Sequence, residues 1–313
     1  MSLYVVTGGA GFIGSHLVEA LLHEGHRVRI IDNFSTGKRE RIPGNADVDV
    51  VEQDLRDFDA VRSALRGADG VFHLAALPSV QYSIEHPRET NAANITATVH
   101  VLEAARDAGV RRVVYSASSS AYGDQPSPQL REDMKPNPMS PYGLQKYVGE
   151  EYCKVFSLCH GIQTVSLRYF NVYGPRMADE GAYVTVIAIF LRQRKAGEVL
   201  TITGDGTQTR DFTHVRDVVR ANMLTMVSPK VGKGEVMNIG AGNNRSVNDV
   251  ARAVGGPVTY LPARIEPHDT LADITRAQEL IGWVPTVAFV DGIRELLTLH
   301  GIAVPEMTET ARV

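Results

Sequence analysis

Cysteine is scarce in this sequence, and its scarcity excludes two kinds of site. Among 313 residues only Cys153 and Cys159 are cysteines, and they stand six positions apart on a predicted helix. That is too few cysteines, at an unsuitable spacing, for a disulfide framework or a cysteine-ligated metal ion. We therefore expect buried or half-buried thiols in a reducing cytoplasm, and no metal.

Long apolar runs and blocks of basic residues are absent as well. No stretch approaches the roughly 20 apolar residues that a membrane span requires. A net charge of −4 without a basic block gives no reason to expect a nucleic acid partner. The chain opens directly into the apolar segment Leu3–Val6, a predicted strand, so we expect no targeting peptide. With 43% hydrophobic and 22% charged residues, the composition is that of an ordinary globular protein, which we expect to be cytoplasmic.

Glycines stand at three positions where that first strand would turn into a helix. The segment Thr7–Gly14 reads Thr-Gly-Gly-Ala-Gly-Phe-Ile-Gly. Gly8 permits a tight turn, Gly11 lets the backbone approach a pyrophosphate, and Gly14 lets the helix pack closely on the strand. The N–H groups at a helix N-terminus then favour phosphate. In this strand–turn–helix context the segment predicts a dinucleotide-binding site.

A carboxylate follows at the distance that such a site requires. Arg27–Ile31 is predicted as the second strand, and Asp32 follows it 18 residues after Gly14. There its carboxylate can accept both ribose hydroxyls of an adenosine. A carboxylate repels a 2′-phosphate, and the nearby cations Lys38 and Arg39 follow a Ser-Thr-Gly turn that we expect to direct them to solvent. The sequence therefore favours NAD over NADP as cofactor.

Strand and helix patterns alternate through the first half of the chain. Further buried strands are predicted at Gly70–Ala76, Arg112–Ser116 and Gln163–Arg168, with a long helix at about 91–108. This alternation predicts an α/β fold with a doubly wound parallel sheet. After about residue 175 the pattern loosens into a smaller α+β unit. We therefore expect a nucleotide-binding domain over residues 1–175 and mainly a substrate-binding domain over 176–313, with some chain crossing back.

Tyr142 and Lys146 form the predicted catalytic pair. They stand four apart on a predicted helix, so both side chains project from one face. A tyrosine is a poor base at neutral pH, but a neighbouring ammonium and a cationic nicotinamide ring would stabilise its phenolate. The phenolate could then act as general base on a sugar or alcohol hydroxyl. The spacing alone is common by chance, and it gains weight from the preceding strand, which ends in the serine-rich segment Tyr115–Ser120. A serine hydroxyl there can carry a hydrogen bond between a substrate and Tyr142.

Motifs spread over residues 7 to 285 resemble those of the extended short-chain dehydrogenase/reductases, in the nucleotide-sugar epimerase/dehydratase family. The resemblance rests on Thr7–Gly14, Asp32-Asn33, Asp54-Leu55, His73–Ala76, Asn94, Ser118–Gly123, Tyr142–Lys146, Arg168–Pro175, Gly204–Gly206, Thr209–Phe212, Asn238–Gly240 and Gly282–Pro285. Together these motifs are highly specific for the family, and less so for one reaction within it. The resemblance implies a Rossmann domain that binds NAD and a smaller domain that binds a UDP-sugar.

The resemblance also implies a role for each matching residue. The resemblance gives eleven cofactor-binding residues: Gly8, Gly11, Phe12 and Ile13 at the pyrophosphate, Asp32 at the ribose, Asp54 and Leu55 at the adenine, Ala75 and Asn94 along the cofactor, Lys146 at the nicotinamide ribose, and Asn33 as a further contact. Ser118 would be the catalytic serine and Tyr142 the base. The substrate diphosphate would be held by Asn171, Arg210 and Arg264. We assign no chemical role to His73, His214 and His268, which packing or helix capping explains.

The serine-rich segment bears on which reaction of the family this chain performs. Dehydratases carry Thr-Asp-Glu where this chain has Ser118-Ser119-Ser120, so the acid and the base that water elimination needs are both missing. Decarboxylases of the family likewise tend to have glutamate at the position of Ser120. What remains is transient oxidation at C4 with bound NAD, which defines a UDP-sugar 4-epimerase. A nucleotide-sugar oxidoreductase or dehydratase of the same family, and a non-catalytic NAD-binding regulator, stay open as alternatives.

Two finer expectations concern the sugar and the oligomer. Aligned from Ala272-Asp273, Thr270 falls where the family has a gate residue beside the C2 substituent, and threonine leaves room for the N-acetyl group that a tyrosine would block. We hypothesise that UDP-GlcNAc and UDP-GalNAc are accepted, with UDP-glucose and UDP-galactose as the alternative pair. The helices at about 91–108 and 140–156 resemble the pair that builds a four-helix dimer interface in relatives, so we expect a homodimer.

Overall fold

The strands and helices follow one another in close alternation. The structure, a computed structural model, describes residues 1–178, 184–263 and 269–305. Its strands are β1 Leu3–Thr7, β2 Arg27–Asp32, β3 Val48–Glu52, β4 Gly70–His73, β5 Arg112–Ser118, β6 Gln129–Leu130, β7 Gln163–Tyr169, β8 Leu200–Thr203, β9 Thr209–Asp211, β10 Lys233–Ile239, β11 Asn244–Ser246, β12 Val258–Leu261 and β13 Leu271–Ala272. Its α-helices are α1 Phe12–His23, α2 Phe58–Ala64, α3 Val80–Glu85, α4 Pro87–Asn91, α5 Ala97–Asp107, α6 Pro141–His160, α7 Val186–Ala196, α8 Val215–Val227, α9 Val247–Val254, α10 Thr275–Ile281 and α11 Phe289–Leu299.

Seven of these strands build one parallel sheet in the order β10-β7-β5-β4-β1-β2-β3. The prediction of a doubly wound α/β fold is therefore confirmed. The winding changes direction between β1 and β4, whose last residues Thr7 and His73 are paired in register. Loops that leave two such strands diverge and open a crevice at the carboxyl edge of the sheet, where open α/β sheets bind their ligands.

Helices cover both faces of the sheet. On one face α1 and α8 bury apolar side chains such as Leu17 and Val218. On the other face α2, α5 and α6 bury a second cluster, to which Val101 and Cys153 belong. Cys159, near the end of α6, is exposed, so the expectation of a buried or half-buried thiol holds for Cys153 and is wrong for Cys159.

A smaller α+β unit follows β7. Helices α7, α9 and α11 enclose a third apolar cluster around Phe190, Val250 and Leu296, beside the short sheets β8–β12 and β9–β11. The chain crosses back twice: α8 packs on α1 and β10 joins the edge of the large sheet beside β7, and later β13 pairs with β6 and α10 packs on α8 and β10. The boundary between residues 175 and 176 stays a prediction. None of the helices in the three described ranges is long and apolar enough to cross a membrane.

Candidate active site

The turn between β1 and α1 is packed so closely that a side chain at Gly8 or Gly14 would collide with the backbone around it. Gly8 has φ +70°, and a Cβ there would lie 2.9 Å from the backbone of Ala75 at the end of β4. A Cβ on Gly14 would lie 2.1 Å from the carbonyl oxygen of Gly8, so Gly14 permits contact between the helix and the turn, where we expected contact with the strand. Gly11 is the N-cap of α1 and offers no capping side chain, which leaves the first-turn N–H groups for an anion. The four residues predicted to line a pyrophosphate lie together here: Gly8, Gly11, Phe12 and Ile13.

Asp32 is buried beside this turn. Its carboxylate accepts the backbone N–H of Ala10 at 3.0 Å and that of Phe34 at 2.8 Å. A Cβ on Gly37 would lie 2.8 Å from Oδ1 of Asp32, so the following backbone passes directly over the carboxylate. A carboxylate has about four acceptor positions, which leaves capacity for ribose hydroxyls. The two backbone contacts fix the carboxylate against the glycine turn.

Asn33 and Asp54 are joined at the position predicted for adenine. Nδ2 of Asn33 donates to Oδ2 of Asp54 at 2.9 Å, and Arg56 donates to both oxygens of the same carboxylate at 2.8 and 2.7 Å. The Arg56 guanidinium holds the pKa of Asp54 well below its ordinary value, so this carboxylate is ionised. Leu55 is buried next to it and supplies an apolar surface of the kind that a base could contact.

The two cations beyond Asp32 are both exposed, as we expected. Arg39 stacks 4.0 Å from the ring centroid of Phe34 and pairs with Glu52 on β3, so its charge is already neutralised. Lys38 is exposed on the preceding turn. The exposure of both cations agrees with the preference for NAD over NADP.

A buried histidine links the loops that leave β1 and β4. Nδ1 of His73 lies 2.8 Å from Oγ1 of Thr7, and its Nε2 lies 3.0 Å from Oγ1 of Thr98. Thr98 donates its own proton to the carbonyl of Asn94 at 2.6 Å, so it accepts from Nε2–H of His73. His73 is therefore the neutral Nε2–H tautomer, and Thr7 donates to Nδ1. Burial, together with the charge of Lys146, lowers the pKa of His73 to about 3.

Asn94 lies on a π-helical turn, Ala92–Thr96, between α4 and α5. Its Nδ2 donates to the carbonyl of Leu77 at 3.1 Å and to Oε1 of Gln145 at 2.8 Å, while its Oδ1 accepts the N–H of Leu77 at 2.8 Å. These bonds tie the loop after β4 to α6. π-Turns of this kind are frequent at functional sites. The contact between Asn94 and a cofactor stays a prediction, because these bonds are to protein groups.

Tyr142 and Lys146 are both buried on the side of α6 that faces the sheet. Ser140 caps the helix by accepting the N–H of Gly143 at 3.1 Å, and Pro141 occupies its first position. Nζ of Lys146 donates to the carbonyl of Ser116 at 2.7 Å, which fixes the lysine beside the end of β5. Burial lowers the pKa of Lys146 to about 8.

Ser118 is the last residue of β5, and its Oγ accepts the N–H of Ser120 at 3.2 Å. A single 3-10 turn, Ser119–Ala121, follows it and packs against α6. The three residues of the predicted catalytic set, Ser118, Tyr142 and Lys146, are therefore gathered at the carboxyl edge of the sheet, where the crevice opens.

The residues predicted for the substrate diphosphate lie on the segment after β7 and on β9. Asn171 has φ +31°, an uncommon value for a residue other than glycine, and its Nδ2 donates to the carbonyl of Asp211 at 3.0 Å. Arg210, next to Asp211, donates from Nη1 to the carbonyl of Thr209 at 2.8 Å. Arg264 lies outside the described residues.

Thr270 is hydrogen-bonded to β9, the strand that carries Arg210. Its N–H donates to the carbonyl of Thr209 at 3.3 Å, and Asp269 accepts both the N–H and the hydroxyl of Thr209 at 3.2 and 2.6 Å. Oγ1 of Thr270 is buried and has no hydrogen-bond partner among the described residues. The structure therefore brings Thr270 to the backbone that carries Arg210.

Asp211 is a buried carboxylate that the sequence reasoning missed. It accepts the N–H groups of Ala241, Gly242 and Ala272 at 2.5, 3.0 and 3.1 Å, and so joins β9, the loop after β10 and β13. Burial raises its pKa to about 6. The sequence offered one signal for this residue, its position next to Arg210, a candidate phosphate-binding arginine. The hydrogen-bond partners of Asp211 could not be inferred, because they lie 30 to 61 residues further along the chain.

A dinucleotide-type α/β fold with a buried tyrosine and lysine at its crevice defines a class of NAD(P)-dependent enzymes, and comparison with known proteins identifies the family. The model of the NAD dependent epimerase/dehydratase family matches residues 4–240. The chain is 38% identical to the UDP-glucose 4-epimerase of Mycolicibacterium smegmatis, over 92% of this chain and 95% of that protein. It is 33% identical to the UDP-N-acetyl-alpha-D-glucosaminuronate decarboxylase of Bacillus cytotoxicus, over 94% and 96%.

Among solved structures, the UDP-N-acetylglucosamine 4-epimerase from Methanobrevibacter ruminantium M1, in complex with UDP-N-acetylmuramic acid, superposes with a TM-score of 0.90. It is 36% identical, and the match covers 95% of this chain and 97% of that one. This protein belongs to the NAD dependent epimerase/dehydratase family. The predicted family, the NAD cofactor and the assignment as an NAD-dependent epimerase are thereby confirmed.

Proposed function

We propose that this protein is a UDP-sugar 4-epimerase that interconverts UDP-GlcNAc and UDP-GalNAc. The observation that carries the proposal is the burial of Tyr142 and Lys146 on one face of α6, beside the end of β5, with Lys146 fixed to the carbonyl of Ser116. The glycine turn after β1 fits a dinucleotide pyrophosphate, because Gly11 caps α1 without a capping side chain and leaves the first-turn N–H groups of that helix for an anion. Together these features support a site in which a base, a cation and the glycine turn that would hold the cofactor surround one crevice.

The roles of the residues follow from this arrangement. Bound NAD would supply a reversible hydride acceptor for C4 of the sugar. Tyr142, as phenolate, takes the proton of the sugar 4-hydroxyl and later returns it, so the residue ends each turnover as it began. Lys146 stabilises the phenolate by its charge, and Ser118 carries a hydrogen bond to the same oxygen. Contacts at Asn171 and Arg210 hold the diphosphate while the 4-keto ring rotates and presents its opposite face to the cofactor. Return of the hydride to that face inverts C4.

Elimination and decarboxylation are less well supported. Both reactions of this family were expected to use a carboxylate in the segment that here reads Ser118-Ser119-Ser120. In the structure this segment is the end of β5 and the 3-10 turn after it, and Oγ of Ser118 accepts the N–H of Ser120. The similarity to a decarboxylase shows that overall identity does not separate these reactions, so we base the choice on these three positions.

The N-acetylated substrate pair is supported by the side chain at Thr270. The backbone N–H of Thr270 donates to the carbonyl of Thr209, beside the predicted diphosphate ligand Arg210. A threonine side chain at this position occupies less space than an aromatic side chain would. The similar structure from Methanobrevibacter ruminantium M1 is named as an epimerase of UDP-N-acetylglucosamine. UDP-glucose is the alternative substrate, since the similar protein from Mycolicibacterium smegmatis is named for it.

Proton NMR of the purified protein incubated with UDP-GlcNAc, and separately with UDP-glucose, tests the proposal. Appearance of UDP-GalNAc signals supports both the reaction and the sugar. Turnover of UDP-glucose alone keeps the reaction and contradicts the preference. Tyr142→Phe is expected to abolish turnover while bound NAD is retained. Tyr147→Phe, five residues further along α6, is the matched control and is expected to remain active.

A separate variant addresses the sugar preference. Thr270→Tyr would fill the space beside C2, and we expect it to lower kcat/KM for UDP-GlcNAc by at least tenfold while leaving that for UDP-glucose within about twofold, a difference of roughly 1 kcal/mol or more between the substrates. Equal effects on both substrates would contradict a gate at this position.

We also propose a homodimer, supported by the outer face of α6. Leu144, Val155 and Leu158 are 50%, 48% and 84% exposed and share one side of this 20-residue helix. Apolar side chains repeated at helical spacing on an outer face are typical of a helix–helix interface. α6 packs beside α5, so two copies could meet as the four-helix arrangement that we expected.

A further inference from the structure

Two buried charges lie one helical turn beyond Lys146, and the proposed reaction does not use them. Glu150 on α6 and Arg168 on β7 form a two-point ion pair, in which Nε donates to Oε1 at 2.9 Å and Nη2 to Oε2 at 2.7 Å. The side chains are only 1% and 3% exposed. Removing two charges from water costs free energy, and a pair of apolar residues of similar volume often stabilises a fold as well as a buried ion pair does, or better. Stability alone is therefore a weak reason for this pair.

The pair lies between the helix and the strands that form the site. Arg168 is in register with Ala117 on β5, next to Ser118. Its guanidinium stacks 4.4 Å from the ring centroid of Tyr122, which follows the serine-rich turn. Through Glu150 the same guanidinium holds α6, so one contact sets the helix that carries Tyr142 and Lys146 against the strand that ends at Ser118.

Glu150 is also placed to act on Lys146 by its charge. The two residues are four apart on α6, a spacing that brings side chains together on one face. The Lys146 ammonium is buried over the Tyr115 ring, 5.1 Å from its centroid. Burial lowers the pKa of Lys146, and the negative charge of Glu150 opposes that effect. The titratable and charged groups around the lysine are His73, Tyr115, Tyr142, Glu150, Cys153 and Arg168. Within this set Glu150 is the carboxylate.

On the basis of the proposed function, we propose that Glu150 and Arg168 are positioning residues for the base and the lysine of this site. Glu150 supplies the negative charge that balances the Lys146 ammonium, and Arg168 holds Glu150 and joins α6 to β5 and β7. When Glu150 is neutral, Lys146 loses its proton at a lower pH, and the Tyr142 phenolate then loses its cationic neighbour.

The first test reads Lys146 directly and needs no substrate. The chain has seven lysines, so a spectrum of protein labelled at lysine 13Cε is simple, and Lys146→Met assigns the signal of interest. In Glu150→Gln, which keeps the shape of the side chain, we expect the titration of Lys146 to move down by about one pH unit. In Glu150→Asp the titration should stay nearer to that of the wild type. Because no turnover is involved, this result stands even if the chain epimerises no UDP-sugar.

The second test separates positioning from stability. In the double variant Glu150→Met/Arg168→Met, apolar residues replace both charges, and we expect thermal stability to recover relative to Glu150→Gln. The titration of Lys146 should stay shifted, and the alkaline limb of kcat/KM should stay at lower pH than in the wild type, with kcat affected more than KM. If the double variant regains the wild-type pH profile, or if Lys146 titrates normally in Glu150→Gln, the pair is structural and the proposal is wrong.

Arg112→Met is the control for a general loss of stability. Arg112 is a buried arginine at the opposite end of β5, where it donates to backbone carbonyls. Its replacement is expected to lower the melting temperature and leave the Lys146 titration unchanged. A shifted Lys146 titration in this control would mean that destabilisation alone moves the signal, and that would contradict the proposal too.

Discussion

Thr7 and His73 pair across β1 and β4, with Oγ1 of the threonine 2.8 Å from Nδ1 of the histidine. Each is the last residue of its strand, at the point where the winding of the sheet changes direction. Oγ1 of Thr7 also accepts the N–H groups of Leu74 and Ala75 at 3.2 Å each. One buried hydroxyl thus holds the loop after β4 beside the glycine turn that we propose as the cofactor site.

His73→Leu is expected to weaken this cradle. The variant leaves the hydroxyls of Thr7 and Thr98 without their buried partner, which costs about 1–3 kcal/mol of unfolding free energy. It should also lower the NAD content of the purified protein, because the two loops that we propose to line the cofactor lose their common anchor. The comparison is Val250→Ala, which creates a cavity in the distant cluster of α9 at a similar cost. Equal NAD content in the two variants would show that His73 serves stability alone.

Local patterns were sufficient to predict where much of the candidate site lies in the fold. The glycine turn, Asp32 at the end of β2 and the Tyr142/Lys146 pair each depend on residues within a few positions of one another, where helix and strand geometry fixes the direction of side chains. The role of His73 could not be predicted in this way, because its partner Thr7 is 66 residues away and meets it only through the strand order. The same holds for Glu150 and Arg168, which are brought together when α6 packs on the sheet.

Lys146→Met is expected to abolish turnover and to raise stability at neutral pH. The pKa of this buried lysine is lowered from its ordinary value of 10.5 to about 8, so the folded protein disfavours the ammonium relative to the unfolded chain. The cost is therefore fully present below pH 8 and fades as pH rises from there towards the ordinary value. The melting temperature of the variant should exceed that of the wild type by a few degrees at pH 7, and by less at pH 10. A variant that melts below the wild type at pH 7 would contradict this account.

Arg112→Met tests a contact that closes the C-terminal end of α8. The guanidinium donates to the carbonyls of Thr225, Met226, Ser228 and Val231, at distances between 2.5 and 3.1 Å. Its loss leaves buried carbonyls without a donor, so we expect about 3 kcal/mol of destabilisation in urea unfolding, with little change in the slope. Arg111→Met is the matched control. That arginine is exposed and its guanidinium donates to the carbonyl of Met226 at 3.2 Å, so its replacement should cost less than about 1 kcal/mol.

Asp211→Asn is expected to loosen the substrate side of the crevice. An amide oxygen cannot accept all three N–H groups that the carboxylate accepts, from Ala241, Gly242 and Ala272. Because these groups hold the backbone near Thr270 and Arg210, KM for the UDP-sugar should rise several-fold while kcat changes little. A decrease in kcat with an unchanged KM would contradict this account and would indicate that Asp211 acts in the catalytic step.

The pH dependence of Asp211 gives a second readout for the same variant. Burial raises the pKa of Asp211 from 3.8 to about 6, so between these values the folded protein binds the proton more strongly than the unfolded chain does. This group therefore contributes stability that falls as pH rises from about 4 to about 6. In Asp211→Asn that contribution is absent, and the difference in melting temperature between wild type and variant should change across this window. A constant difference would show that Asp211 titrates normally.

The outer face of α6 leads to a prediction about assembly. Leu144 and Val155 are each about half exposed although both are apolar, and charged residues at these positions would be well tolerated if the face met only water. We therefore expect Leu144→Glu/Val155→Glu to convert a homodimer into a monomer, as measured by light scattering at micromolar concentration, and to lower the melting temperature. Lys154→Glu, an exposed charge change on the same helix, should leave the mass unchanged. If the wild type is itself monomeric at micromolar concentration, the exposed apolar face has another explanation and the homodimer proposal fails.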